Sequence, residues 1–125
     1  MVADGFYEWQ PANGRKQPYF VGLQSDRPFG LAGLWERWEK GGEPVESCTI
    51  LTTEANELMQ PIHERMPVII PPEQYGLWLD PRCKDSEKLA KLLRPYRSKE
   101  MLAYRVSTLV NNWKNDVPDC VAAIP

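Results

Sequence analysis

Asn13-Gly14 stands between two runs rich in aromatic and β-branched residues, Gly5-Phe6-Tyr7-Glu8-Trp9 and Pro18-Tyr19-Phe20-Val21-Gly22-Leu23. Asn-Gly accepts positive φ at both central turn positions, as required by the two-residue turn whose twist matches that of paired strands. The pattern predicts an antiparallel hairpin near the amino terminus. An aromatic strand only four residues from Met1 has little lead-in, so the start reads as cut from something longer.

Further along, turn residues punctuate short apolar runs. Ser25 to Pro28 is a turn, Phe29 to Trp35 a strand whose small residues admit a close neighbour, and Lys40 to Pro44 a flexible loop. Val45 to Thr52 reads as a strand with Cys48, Ile50 and Thr52 on one face. Glu54 to Gln60 reads as a helix capped by Thr53 and stopped by Pro61. Met66 to Ile70 is a strand, Glu73 to Leu79 a short helix begun by Pro71-Pro72, Ser86 to Leu93 another helix, and Met101 to Val106 a late strand. The run from Asn111 to Asp116 is a polar loop and Val121 to Ile124 closes the chain. Strands joined by tight turns, with helices inserted late, predict an α+β domain with a largely antiparallel, barrel-like sheet and no regular βαβ alternation.

Composition excludes several classes. At 125 residues, with 42% hydrophobic side chains and five Trp, the chain suits one globular core and not disorder. No apolar run approaches the roughly 20 residues that span a bilayer, and no signal-peptide pattern precedes the first strand. A soluble cytoplasmic protein is expected, with no membrane partner. Cys48, Cys83 and Cys120 are odd in number and widely spaced, which argues for reduced thiols and against a disulfide framework or zinc. The formal net charge of −2 lacks the basic signature of a nucleic-acid binder, although a local groove can be basic on an acidic protein.

Few residues are equipped for chemistry. Glu8 lies between Tyr7 and Trp9, and a carboxylate against apolar surface can work as a general acid or base near neutral pH; the alternative is an ordinary strand glutamate facing solvent. His63 is the single histidine, so imidazole chemistry is confined to one place, a loop bracketed by Pro61 and Pro67. Arg65 can meet a phosphate or be an ordinary surface arginine. Thr52 and Thr53 can offer hydroxyls at a strand end, or one can cap the next helix. Trp35, Trp38, Trp78 and Trp113 can stack on bases, but without an interleaved basic run they read as core or rim. No glycine pattern matches a phosphate loop, and no metal or cofactor site is expected.

Six segments occur together in order: Asp4 to Trp9, Lys16 to Phe20, Ala32 to Trp35, Cys48 to Asn56, His63 to Ile70, and Val106-Ser107 with Val110-Asn111 and Asn115-Asp116. In that order they resemble SRAP domains, the family named for SOS-response-associated peptidases. The resemblance implies that a cysteine exposed by loss of the initiator methionine traps the aldehyde of an abasic site in single-stranded DNA as a thiazolidine crosslink. Removal of that methionine accounts for the peptidase in the family's name. By the same resemblance Glu8 and His63 are the catalytic proton-transfer groups, Thr52 and Arg65 contact DNA, and the full-length protein is a monomer acting on the nucleoid.

The sequence departs from that pattern at Met1-Val2, where the family opens on Cys-Gly-Arg. Residues 1–125 are therefore expected to be the carboxy-terminal portion of one SRAP domain, inactive alone. Internal cysteines cannot replace the terminal one, because a thiazolidine needs an amine and a thiol on adjacent carbons. A non-covalent nucleic-acid or protein binding module of the same fold is the alternative.

Overall fold

The computed structural model describes residues 1–125. Every strand pairing in it is antiparallel. β2 (Gly5–Ala12) and β3 (Arg15–Leu23) form the expected hairpin, with Ala12 opposite Arg15 across a two-residue loop. Asn13 and Gly14 have φ of 46° and 77°, both positive as the turn demands. β10 (Met101–Arg105) pairs with the other side of β3, leaving β2 at the sheet edge. A second sheet places β4 (Phe29–Leu31) between β1 (Val2–Ala3) and β9 (Ile69–Ile70). Two ribbons complete the framework: β5 (Gly33–Trp38) with β6 (Val45–Ile50), and β7 (Thr52–Glu54) with β8 (Arg65–Pro67).

Three runs that the sequence presents as single strands are each broken in two, and the breaks meet. The Ala32 N–H donates to Val68 O at 2.8 Å, Val68 N–H to Leu51 O at 2.9 Å, and Leu51 N–H to Ala32 O at 2.9 Å. This cyclic exchange lets each strand leave one partner and join another without stranding a buried donor. Ala32 and Val68 are completely buried there. Nothing in local alternation records such a three-way crossing.

The helix expected over Glu54 to Gln60 is absent. Thr53 does not cap a helix; it belongs to β7, opposite Met66, and the Ala55 N–H continues the ladder to Glu64 O. Asn56 then organises a tight turn. Its Oδ1 accepts the Leu58 and Met59 N–H groups, while its Nδ2 donates to Tyr96 O at 2.7 Å. Pro61 offers no N–H to propagate the turn, and the chain doubles back toward β8. The later helices are shorter than expected: α1 covers Tyr75–Trp78 behind a 3₁₀ turn at Pro72–Gln74, and α2 covers Ser86–Ala90 with the Asp85 carboxylate accepting Lys88 N–H.

The main core gathers Val21, Phe29, Leu31, Met59, Ile62, Met66, Ile69 and Met101, and a smaller one joins Ala32, Val68, Ile70 and Leu92. Much apolar surface stays outside both. The chain exposes 9160 Å², whereas a folded monomer of its 14.4 kDa exposes about 6,800 Å² by surface scaling. Trp35, read from sequence as core or rim, is 74% exposed, and Trp38, Leu34 and Val45 on the same ribbon are also exposed. An apolar groove of about 500 Å³ runs between this ribbon, Met1-Val2 and α1.

Candidate active site and DNA-contact residues

The β7–β8 ribbon pairs Glu54 with Arg65 and Thr53 with Met66. Met66 points into the core with no exposure, so Arg65 and Thr52 occupy the opposite, solvent-facing side. Arg65 reaches diagonally across the ribbon to Thr52. Its Nε donates to Thr52 Oγ1 at 3.0 Å and its terminal NH₂ to Thr52 O at 2.7 Å. Two fixed donor–acceptor pairs orient the guanidinium while leaving its remaining donors free for an anion.

His63 is anchored to the same residue. The Arg65 N–H donates to His63 Nδ1 at 3.1 Å, and Arg65 O lies 3.1 Å from that same nitrogen. When Nδ1 is bare the amide donates to it; when Nδ1 carries hydrogen the carbonyl accepts it. Either tautomer of the ring thus keeps a hydrogen bond at Nδ1 without turning. Thr52, Arg65 and His63 form one connected set.

Glu8 comes from a different element. On β2 it faces the same side as Phe6 and Gln10, opposite to Tyr7 and Trp9, and it is half-buried. Its Oε1 accepts the Trp9 N–H at 3.1 Å. The two parts of the site are tied through Gln10, whose Nε2 donates to Pro61 O at 2.6 Å and whose Oε1 accepts the Tyr19 hydroxyl at 3.1 Å. β2's Glu8 face is thereby fixed against the loop that carries His63, although no hydrogen bond joins Glu8 to His63 directly. Sequence alone does not assign Gln10 this part; its place two residues from Glu8 on the same strand face is the one signal for it.

The surroundings are of mixed charge. Glu54, Glu57, Glu64 and Glu100, with Arg97 and Lys99, line an open cleft of about 990 Å³ beside the ribbon. On the opposite face of β2, Tyr7 packs edge-on against Phe20 at 5.8 Å, and Phe20 against Tyr104 at 5.5 Å. Burial, then the nearby Cys120 thiol, pushes the Tyr7 phenol above its ordinary pKa.

Residues 1–113 match the family described as SOS response associated peptidase (SRAP). This chain belongs to the SRAP family. It is 46% identical over 121 residues to the abasic site processing protein YoqW of Bacillus subtilis (strain 168), an alignment covering 95% of this chain and 54% of that protein. It is 37% identical over 145 residues to the abasic site processing protein HMCES of Gallus gallus, covering 99% of this chain and 43% of that one. Among solved structures, a protein from Bacteroides thetaiotaomicron superposes with a TM-score of 0.89 at 30% identity, covering all of this chain and 56% of that one. The SRAP chain thus spans about half the length of the curated relatives it matches. Antiparallel pairing throughout and short inserted helices agree with the α+β expectation.

Proposed function

We propose that this chain is the carboxy-terminal part of one SRAP domain and supplies the proton-transfer and DNA-holding groups of an abasic-site processing protein. The observation that carries the reading is the connected set His63–Arg65–Thr52, held by Gln10 beside the β2 face that bears Glu8. Family membership and relatives described as abasic site processing proteins support it.

The partner is single-stranded DNA containing an abasic site. As the sugar opens to its aldehyde the C1′–O4′ bond breaks, Glu8 delivers a proton to the ring oxygen, and the C1′ hydroxyl proton is released in its place, so no net proton is consumed. The amine of an N-terminal cysteine, outside these residues, adds to the aldehyde carbon to give a carbinolamine. His63 moves a proton at Nε2 as water departs and the Schiff base forms. The cysteine thiol then adds to the imine carbon while its proton passes to nitrogen, closing a thiazolidine; aldehyde and aminothiol have become ring and one water. Arg65, oriented by Thr52, holds a backbone phosphate without reading sequence.

The test joins these 125 residues to an SRAP amino-terminal half with its leading cysteine and incubates the protein with abasic single-stranded DNA. A denaturation-stable adduct is expected with the cysteine and not with serine in its place. An adduct that persists with serine would overturn the thiazolidine chemistry. Retention of DNA without any adduct in the cysteine form would favour the non-covalent binding module.

A further inference from the structure

The far face of β2 carries a second group of nucleic-acid-compatible side chains, not drawn on by the proton chemistry. Tyr7, Phe20 and Tyr104 form an aromatic row across the sheet, and Trp9 continues it along β2, 6.4 Å from Tyr7 between ring centroids. Trp9 is fixed in place by its indole N–H, which donates to Asn111 Oδ1 at 2.8 Å. Beyond it the loop after Val106 presents Trp113, 86% exposed.

That loop is built to hold its shape. The Ser107 hydroxyl accepts Leu109 N–H at 3.2 Å, the Asn112 side chain accepts Lys114 N–H at 3.1 Å, and Asn115 Nδ2 donates to Leu109 O at 2.8 Å. A backbone pinned at three points therefore offers a large apolar ring to water instead of packing it. An indole so placed leaves most of its apolar area in solvent, an arrangement typical of contact surfaces for a partner. Trp9, Lys16, Val110, Asn111 and Trp113 line an open groove of about 420 Å³, within the range of small-ligand sites. Lys114 Nζ lies 5.6 Å from the Trp113 ring centre, and Arg15 and Lys16 stand exposed at the start of β3. Asp116, the nearest acid along the loop, lines a separate cleft with Tyr7 and Cys120.

We propose that Trp113, flanked by Lys16 and Lys114, is a stacking platform for an unpaired base of the bound single strand. The proposal rests on the single-stranded DNA reading above and extends it to the other face of β2. A flat π surface accepts any base, and the two ammonium groups neutralise the phosphates on either side of it, so the platform adds affinity without sequence preference. β2 is a sheet edge, with Gln10 tying one of its faces to the loop that carries His63 and Trp9 tying the other to Asn111 in the loop of Trp113, so a strand of DNA passing over that edge has both within its path.

The experiment is a binding titration of labelled oligo-dT to the full-length protein over a range of salt concentrations. The variants are Trp113→Ala, Trp113→Phe, Lys16→Ala with Lys114→Ala, and Arg65→Ala, each checked for folding by circular dichroism. Trp113→Ala is expected to weaken binding at least about fivefold with an unchanged salt slope, and Trp113→Phe to recover most of the loss. The double lysine variant is expected to reduce the salt slope by about 1.4. Wild-type affinity in Trp113→Ala beside weakened Arg65→Ala would overturn the platform and leave the DNA reading intact. Absence of oligo-dT binding by the wild type would remove both.

Discussion

Arg65 holds Thr52 through two atoms at once, its Nε on the hydroxyl and its terminal NH₂ on the carbonyl. A lysine would spend its single ammonium on these two acceptors, whereas the planar guanidinium makes both bonds and keeps further donors for an anion. Arg65→Ala is therefore expected to weaken single-stranded DNA binding and to lower its salt slope by about 0.7, with Arg65→Lys intermediate in affinity. Thr52→Val removes the hydroxyl contact and keeps the carbonyl, so its loss should be smaller. Titrations at several salt concentrations check this; unchanged affinity and slope in Arg65→Ala would remove the residue from the interface.

The surplus of exposed surface predicts association of the isolated 125-residue chain. Trp35 and Leu34 on β5 stand out from both cores, and water contact over that area is unfavourable. Sedimentation should give a mass that rises with concentration above 14.4 kDa, and Leu34→Ser with Trp35→Ser should return it toward the monomer. A wild-type chain that stays monomeric at high concentration would contradict this.

Stability should fall in alkali. Tyr7 is raised above its ordinary value first by burial and then by Cys120, and Tyr96 first by burial and then by its hydrogen bond to Glu100. For a raised pKa the folded state retains the proton more tightly than the unfolded one. The contribution is complete below the ordinary tyrosine pKa of about 10 and is lost as pH climbs through the folded values. Urea titrations from pH 8 to 11 should show declining stability that is flatter in the Tyr7→Phe, Tyr96→Phe double variant. An equal decline in both proteins would assign the effect elsewhere.

The hairpin was legible because its turn chemistry is local: Asn13 and Gly14 meet a φ requirement that their own side chains announce. The helix expected at Glu54 to Gln60 failed because Asn56 satisfies turn amides with its side chain, and that competition depends on Tyr96, forty residues away, taking its other end. The broken strands were illegible for the same reason, since Ala32, Leu51 and Val68 bond across distant parts of the chain. His63, Arg65 and Thr52 are legible singly, but their linkage is a product of the β7–β8 register. The exposure of Trp35 and Trp113 leaves only the rim half of the expectation of core or rim, because residue type reports apolar area and not whether these residues have a neighbour to cover it.

A polypeptide of these 125 residues, beginning Met1-Val2, carries no cysteine whose α-amine is free. It is expected to form no denaturation-stable adduct with abasic single-stranded DNA, although Cys48 is exposed. A gel-shifted band that survives denaturation would show that another nucleophile suffices.

The central claim is that Glu8 and His63 move protons, and the most direct measurement is a single-turnover crosslinking time course on abasic DNA in a full-length protein carrying these residues. Glu8→Gln keeps size and hydrogen bonding but cannot ionise, and a positioned acid or base is worth roughly 10²–10⁴-fold in rate. Glu8→Gln and His63→Ala are each expected to slow crosslinking at least about tenfold while binding to intact single-stranded DNA changes far less. Wild-type crosslinking rates in both variants would contradict the assignment of proton transfer to these residues.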